Sequence, residues 1–207
     1  GKESTSYFKG FIDDTKIYNY ARTAKQIVED MNGGHPAGGS PVGSQVGYWR
    51  FDEGYGTTAN NQIPGGPNGT ITGATWNNNG KFNKALNFDG SANRVTFTST
   101  NVISASAGTL SLWFKPATTQ TFTTGGYIFE HFGTNSRIYL QYVTSGSVTN
   151  VYAILSTGTT IGTVSVTPNV WHHAVLTWDN TSAKLYIDGI DKTTTGTITA
   201  LTNIAAT

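Results

Sequence analysis

Alternation with a period of two residues constrains this chain more than any other feature. In TLSLWFKP (109–116), Leu110, Leu112 and Phe114 share one face, while Ser111, Trp113 and Lys115 share the other. NRVTFTST repeats the pattern with Val95 and Phe97, and HAVLTWD and KLYIDG behave alike. β-Branched and aromatic residues in this period make strands with one buried face. Turn-forming clusters separate them: NNNGK (77–81), FDGSAN (88–93), TSGSVTN (144–150) and DNTSAK (179–184). Many short strands at such spacing predict an all-β antiparallel sandwich or barrel. A chain of 207 residues can bury a full core without staples, and with no cysteine it must.

One short helix is predicted in RTAKQIVEDMNGG. Thr23 stands three residues before Gln26, the spacing of a capping box, and Gly33 and Gly34 stop the helix. Ile27 and Met31 lie four apart and form its buried stripe. GGHPAGGSPVGSQ (33–45) reads as a linker between residues 1–32 and a main β body, 46–207. Only 12% of residues are charged and the net charge is +1. That leaves no basic field for nucleic acid. No apolar run approaches the roughly 20 residues that insert across a bilayer. The polarity comes from Thr, Ser, Asn and Gly, which suits an extracellular or cell-surface protein.

Five stretches together resemble the laminin-G-like, concanavalin A-type jelly-roll family. They are VGYWRFDEGYGTTANN (46–61), GKFNKALNFDGSANRVTF (80–97), GTLSLWFKP (108–116), NVWHHAVLTWDNTSAKLYIDG (169–189) and YFKGFIDDTKIYNYARTAKQI (7–27). The resemblance implies a jelly-roll β-sandwich. Four stretches stand in the family's order, whereas the closing strand and helix, 7–27, come first. Such an order is expected of a piece cut from a tandem array, with 1–32 closing one laminin-G-like repeat and 46–207 opening the next. The body then lacks a strand, which leaves an unpaired edge. Residues 7–20 can fill that slot by folding back on their own chain. Alternatively they insert into a neighbour, building a fibre or array by strand exchange.

Strict alternation in FIDDTKIY puts Asp14 with Ile12 and Tyr18, and Asp13 with Phe11 and Ile17. One carboxylate therefore faces the same way as large apolar residues, and must be paired, protonated or metal-bound. The family resemblance implies a structural Ca²⁺ here, with Asp14, Asp13 and Asp89 of the Phe-Asp-Gly turn as metal ligands beside backbone carbonyls. The other readings are a bulge that turns both carboxylates to water, or a salt bridge to Arg50 or Arg94. His172 and His173 are adjacent in a strand, so they face opposite sides and are structural. Asp52 and Glu53 read as turn formers: the family's glucanases use a Glu-x-Asp-x-x-Glu strand that is absent here. The aromatic residues Tyr55, Trp76, Tyr127, Tyr142 and Tyr152 are candidate sugar-stacking platforms, provided that two or three share one surface. The reading is a non-catalytic module for adhesion or carbohydrate recognition, with a glycan or cell-surface protein as partner.

Overall fold

Every buried N–H and C=O of a strand needs a partner, so a β chain is organised by which edges meet. The computed structural model describes residues 7–32, 45–98, 102–118, 126–132, 137–145, 148–156 and 158–198. Its strands are β1 (Lys9–Tyr18), β2 (Gln45–Trp49), β3 (Thr58–Ala59), β4 (Gly69–Thr72), β5 (Thr75–Asn77), β6 (Ala85–Asp89), β7 (Arg94–Thr96) and β8 (Gly108–Pro116). They continue with β9 (Gly126–Phe132), β10 (Arg137–Ser145), β11 (Val148–Ser156), β12 (Thr159–Ser165), β13 (His172–Trp178), β14 (Ala183–Ile187) and β15 (Ile190–Asp191). Helix α1 spans Ala24–Met31. The linker expected over 33–45 lies outside the described residues, save Gln45.

One layer is an eight-stranded antiparallel sheet in the order β15-β14-β13-β8-β1-β6-β5, with β2 also paired to β1. The second layer comprises a four-stranded sheet, β12-β11-β10-β9, and a three-stranded one, β3-β4-β7. Between the layers lies one apolar cluster that includes Phe8, Ile12, Ile17, Trp49, Leu110, Leu112, Phe114, Leu140, Val151 and Leu176. This is the jelly-roll β-sandwich that the alternation and the resemblance implied. Gly126 lets the chain pass β9 closely at its start, because a Cβ there would come within 2.7 Å of Phe8 Cα and Tyr7 O.

Strand β1 stands inside the large sheet, not at its margin. One edge pairs with β8 from Gly10↔Pro116 to Tyr18↔Thr109. The other edge is divided: Lys9–Ile12 pair with β6, and Thr15–Tyr18 pair with β2. Residues 7–20 thus occupy a place in their own chain's sheet. Phe8, Ile12 and Ile17 join the same core as the rest, so 1–32 and 46–207 are not separate units where they are described.

The helix follows its sequence signals. Thr23 Oγ1 accepts from Gln26 N, and Gln26 Oε1 accepts from Thr23 N, closing the capping box. Ile27 packs on Val175 and Tyr186 of the large sheet's outer face. Met31 is only half-buried, and Asp30 takes the second buried place instead.

Truncating Ile17, which is fully buried, to Ala should lower unfolding stability in urea by about 3 kcal/mol. Removing residues 1–32 strips both β8 and β6 of a partner, so that chain should show no cooperative urea transition. A cooperative transition would mean the remaining sheet is complete without β1.

Candidate functional site

Two surfaces concentrate the polar chemistry. The first is the outer face of the large sheet under α1. Asp14 has φ 51° and the β1–β8 register shifts between Asp13 and Lys16, which marks a bulge. The bulge lies where β1 changes partner from β6 to β2. It also resets the alternation: Ile12 and Ile17, of opposite parity, both reach the core. Strict alternation was therefore the wrong rule here, and both carboxylates share the outer side. Neither turns to water, since Asp13 is 0% exposed and Asp14 6%.

Asp14 is saturated. Its Oδ1 accepts from Tyr48 OH at 2.6 Å, and its Oδ2 meets Lys16 Nζ at 3.1 Å. Lys16, and neither Arg50 nor Arg94, is its cation. Lys16 also approaches Asp30 Oδ1 at 4.0 Å, Arg22 Nε meets Asp30 Oδ2 at 2.8 Å, and Tyr18 OH donates to Asp30 Oδ1 at 2.8 Å. Two carboxylates and two cations, all buried, thus tie β1 to α1. Burial with the Asp14 charge beside it holds the Tyr48 phenol well above its ordinary pKa, so it remains a donor.

Asp13 has a different environment. Its Oδ2 accepts from Phe82 N at 2.9 Å, filling the gap between β6 and β2. Its Oδ1 is buried without a hydrogen-bond partner among the described residues. Burial, reinforced by the charges of Asp14 and Asp52, pushes its carboxyl up to about 7 against the lowering effect of the Phe82 N–H.

The carboxylates expected to share a calcium ion do not fit one. Asp14 has both oxygens engaged. Asp89 pairs with Lys9, four residues along β1 from Asp13, and its Oδ1 accepts from Ser91 N in its own turn. Four residues of strand is roughly 13 Å. Among the described residues no group of three or more His, Cys, Asp or Glu could hold a metal. Of Asp13, Asp14 and Asp89, Asp13 alone retains a buried oxygen with no hydrogen-bond partner among the described residues.

The paired histidines face opposite sides. His172 Nδ1 meets Asp188 Oδ2 at 2.8 Å and its Nε2 meets Thr167 O at 3.0 Å. Burial opposes its charge, but these two acceptors prevail and its pKa is raised. His173 Nε2 meets Ser111 Oγ at 2.9 Å, and burial pushes its pKa down to about 3. Asp52 accepts from Lys84 N and pairs with Arg50, and Glu53 accepts from Asn60 N, which are turn-holding roles.

The second surface is the outer face of the four-stranded sheet. Ile138, Leu140, Tyr142, Val151, Ala153 and Leu155 point inward. Tyr139 and Gln141 on β10, and Tyr152 on β11, therefore point outward. Gln141 lies opposite Tyr127 on β9 and opposite Tyr152 on β11, and Tyr152 lies opposite Thr163 on β12. One register row therefore reads Tyr127–Gln141–Tyr152–Thr163 across all four strands. Tyr139 stands edge-on to Tyr127, with ring centroids 5.3 Å apart and planes at 84°.

Three of the five expected platforms are elsewhere. Tyr142 is fully buried, packs on Phe8 and donates to Ala117 O, so it is a core residue and unavailable to a ligand. Tyr55 is 79% exposed at a loop tip. Trp76, on the terminal strand β5, donates from Nε1 to Gly56 O, close to Tyr55 in the chain but in the other layer from Tyr127 and Tyr152. Sequence reasoning missed Tyr139 and Gln141. A hydroxyl-aromatic alternation in RIYLQYV signals them, with Ile138, Leu140 and Tyr142 as the inward set. A cavity of about 440 Å³ also opens between β7 and β9, with walls that include Phe8, Trp49, Phe51, Phe88 and Phe97. Its lining is chiefly apolar, which does not suit a polyhydroxyl ligand.

Two stability predictions follow from the first surface. The folded carboxyl of Asp13 titrates at about 7 and the unfolded one near 3.8, so the folded state holds a proton that the unfolded state has lost. Stability therefore falls as pH rises through that window and the full penalty applies above it. Asp13→Asn should be more stable than the parent by roughly 1–3 kcal/mol at about pH 8, and should lose that advantage at about pH 4. Urea melts across pH check both the sign and the crossover. Asp14→Asn leaves Lys16 under-compensated and should cost about 3 kcal/mol, equally in EDTA and in calcium. A loss seen only in calcium would return Asp14 to the role of metal ligand.

A laminin G family model, described as the Concanavalin A-like lectin/glucanases superfamily, matches residues 89–207. The match begins within the Phe-Asp-Gly turn and takes in β7 to β15. No curated protein and no solved structure matches the chain. More than half of its length carries the family's pattern on the family's sandwich, and the chain belongs to the laminin-G-like, concanavalin A-like lectin/glucanase superfamily.

Proposed function

We propose that this chain is a non-catalytic carbohydrate-recognition module that binds through the outer face of the four-stranded sheet. The observation that carries the reading is the register row Tyr127–Gln141–Tyr152. A tyrosine offers an apolar ring face for the C–H side of a sugar and a hydroxyl for its rim. A glutamine supplies both a donor and an acceptor for sugar hydroxyls. The row sits on strands, which hold ligand-facing groups more rigidly than loops do.

A retaining glycosidase needs two carboxyls about 5 Å apart across the scissile bond. By register, Glu130 is the carboxylate of this face among the described residues. Asp52 and Glu53 are committed to backbone N–H groups. Binding without cleavage fits that inventory. The low charge and hydroxyl-rich composition suit a secreted or cell-surface setting, in which such a module serves adhesion.

Printing the full chain on a glycan array tests the proposal. Neutral glycans should give signal, and Tyr127→Ala and Tyr152→Ala should each lose it while keeping the parent melting temperature. A blank array, or a signal that both variants retain, would overturn the assignment of this face.

A further inference from the structure

The geometry points to a second contact surface, a peripheral seat for an anionic lipid bilayer, on the part of the large sheet's outer face that α1 leaves uncovered. The inference does not depend on the glycan reading. Phe8, Ile12, Leu112 and Phe114 belong to the core, so Lys9, Phe11, Trp113 and Lys115 point outward. Lys115 stands opposite Phe11, with its Nζ 5.4 Å from the centre of the Phe11 ring. Lys9 lies two residues from Phe11 on the same face of β1. Lys81 Nζ sits 4.1 Å from the centre of the Trp113 ring, and Trp113 is two residues from Lys115 on β8. Trp171 packs against Phe11, with ring centroids 6.3 Å apart. Just before it, Asn169 turns the chain with a φ of 59°, and its N–H donates to Pro116 O at 2.8 Å. That bond fastens the turn beside the end of β8, and Val170 stands on it 46% exposed.

Lysines and aromatic rings thus alternate across one surface. Lys16, Arg22, Arg50 and Lys184 pair with carboxylates, but Lys9, Lys81 and Lys115 pair with none among the described residues. By register the nearest acids are Asp13, which is enclosed, and Asp89 opposite Lys9, whose Oδ1 accepts from Ser91 N. Three uncommitted cations on a chain of net charge +1 call for an anionic occupant. The apolar groups decide which one. A sulfated chain would engage the lysines and leave Val170 in water. A bilayer surface uses both sets. Its phosphates meet the ammonium groups, the half-buried Phe11 and Trp171 rings settle at headgroup depth, and the lysine stems lie along the rings. Each lysine near such a surface favours anionic over neutral lipid by about fivefold, so three together give about a hundredfold. Seating this face on a membrane turns the outer face of the four-stranded sheet away from it.

Vesicle sedimentation with the full chain tests this. In low salt, phosphatidylcholine vesicles with about one-third phosphatidylglycerol should carry the chain down, and pure phosphatidylcholine should not. Salt at about 1 M should release it, because the screening length falls to about 3 Å. Lys9→Gln and Lys115→Gln should each weaken partitioning about fivefold, and Val170→Ser by a similar factor. Lys25→Gln, the same charge change on α1, should leave it unchanged. Brominated lipid should quench tryptophan emission, and Trp171→Phe should remove that quenching. Near-UV circular dichroism of each variant confirms that the fold is kept. No sedimentation with the anionic vesicles, equal sedimentation with both kinds, or a loss in Lys25→Gln equal to that in Lys115→Gln would overturn the proposal. Retention on heparin without vesicle binding would give the patch to a soluble polyanion and overturn the membrane as its occupant.

Discussion

The divided edge of β1 is the constraint from which the other features follow. A strand in the interior of a sheet must satisfy both of its hydrogen-bonding edges. β1 meets one unbroken partner, β8, but two short ones, β6 and β2, on the other side. Two partners in line leave a gap between them. The bulge at Asp13–Asp14 falls in that gap, and the Asp13 carboxylate takes up the Phe82 N–H that faces it. A side chain thus substitutes for a stretch of missing ladder. The arrangement confines a carboxylate in a place with no cation against it, and the raised pKa is the electrostatic consequence.

The same bulge decides what the outer face must contain. An extra residue there places Asp13, Asp14, Lys16 and Tyr18 on one side within six positions. Burying these groups is tolerable only if they neutralise one another. α1 completes the set: Asp30 and Arg22 arrive with the helix, and Ile27 anchors the helix on Val175 and Tyr186. Isolated eight-residue helices are unstable in water, so α1 exists because the sheet receives it. Buried ion pairs add little net stability compared with apolar packing, but mispairing them is costly. The network therefore acts as a key for position. It accepts α1 in one place and would penalise any other register of β1.

Much of this was legible in the sequence. The inward sets of β8, β13 and β14, the capping box and the opposed histidines all follow from one-dimensional periodicity. A bulge at Asp13–Asp14 was one of the readings the sequence left open, but not one that keeps both carboxylates from water, because alternation has no way to signal that one strand will serve two short partners. The expected calcium ligands are not brought together among the described residues for that reason. It assumed that Asp14 kept its parity and that Asp89 lay nearby, whereas the bulge gave Asp14 to Lys16 and the register left Asp89 beside Lys9. The tyrosines divide along the same line. Periodicity in IYLQYV separates Tyr139 from Tyr142, yet which tyrosine on β9 and which on β11 share a row depends on pairing across strands. Register is a tertiary fact even when each strand is a local one.

The two faces of the sandwich carry opposite chemistry, and the core between them explains why that is stable. On the large sheet the polar groups are ionised and enclosed, so their positions are coupled and a change at one is felt by the others. On the four-stranded sheet the row Tyr127–Gln141–Tyr152–Thr163 is aromatic, amide and hydroxyl, and it stands in partial contact with water. Neutral groups of that kind cost little to leave hydrated. Each sheet presents its inward side chains to the same apolar layer, and alternation allows the outward set to vary without disturbing it. A largely neutral, hydrated face and a buried ionic lock can therefore occupy one small domain, provided that they are kept on opposite outer faces.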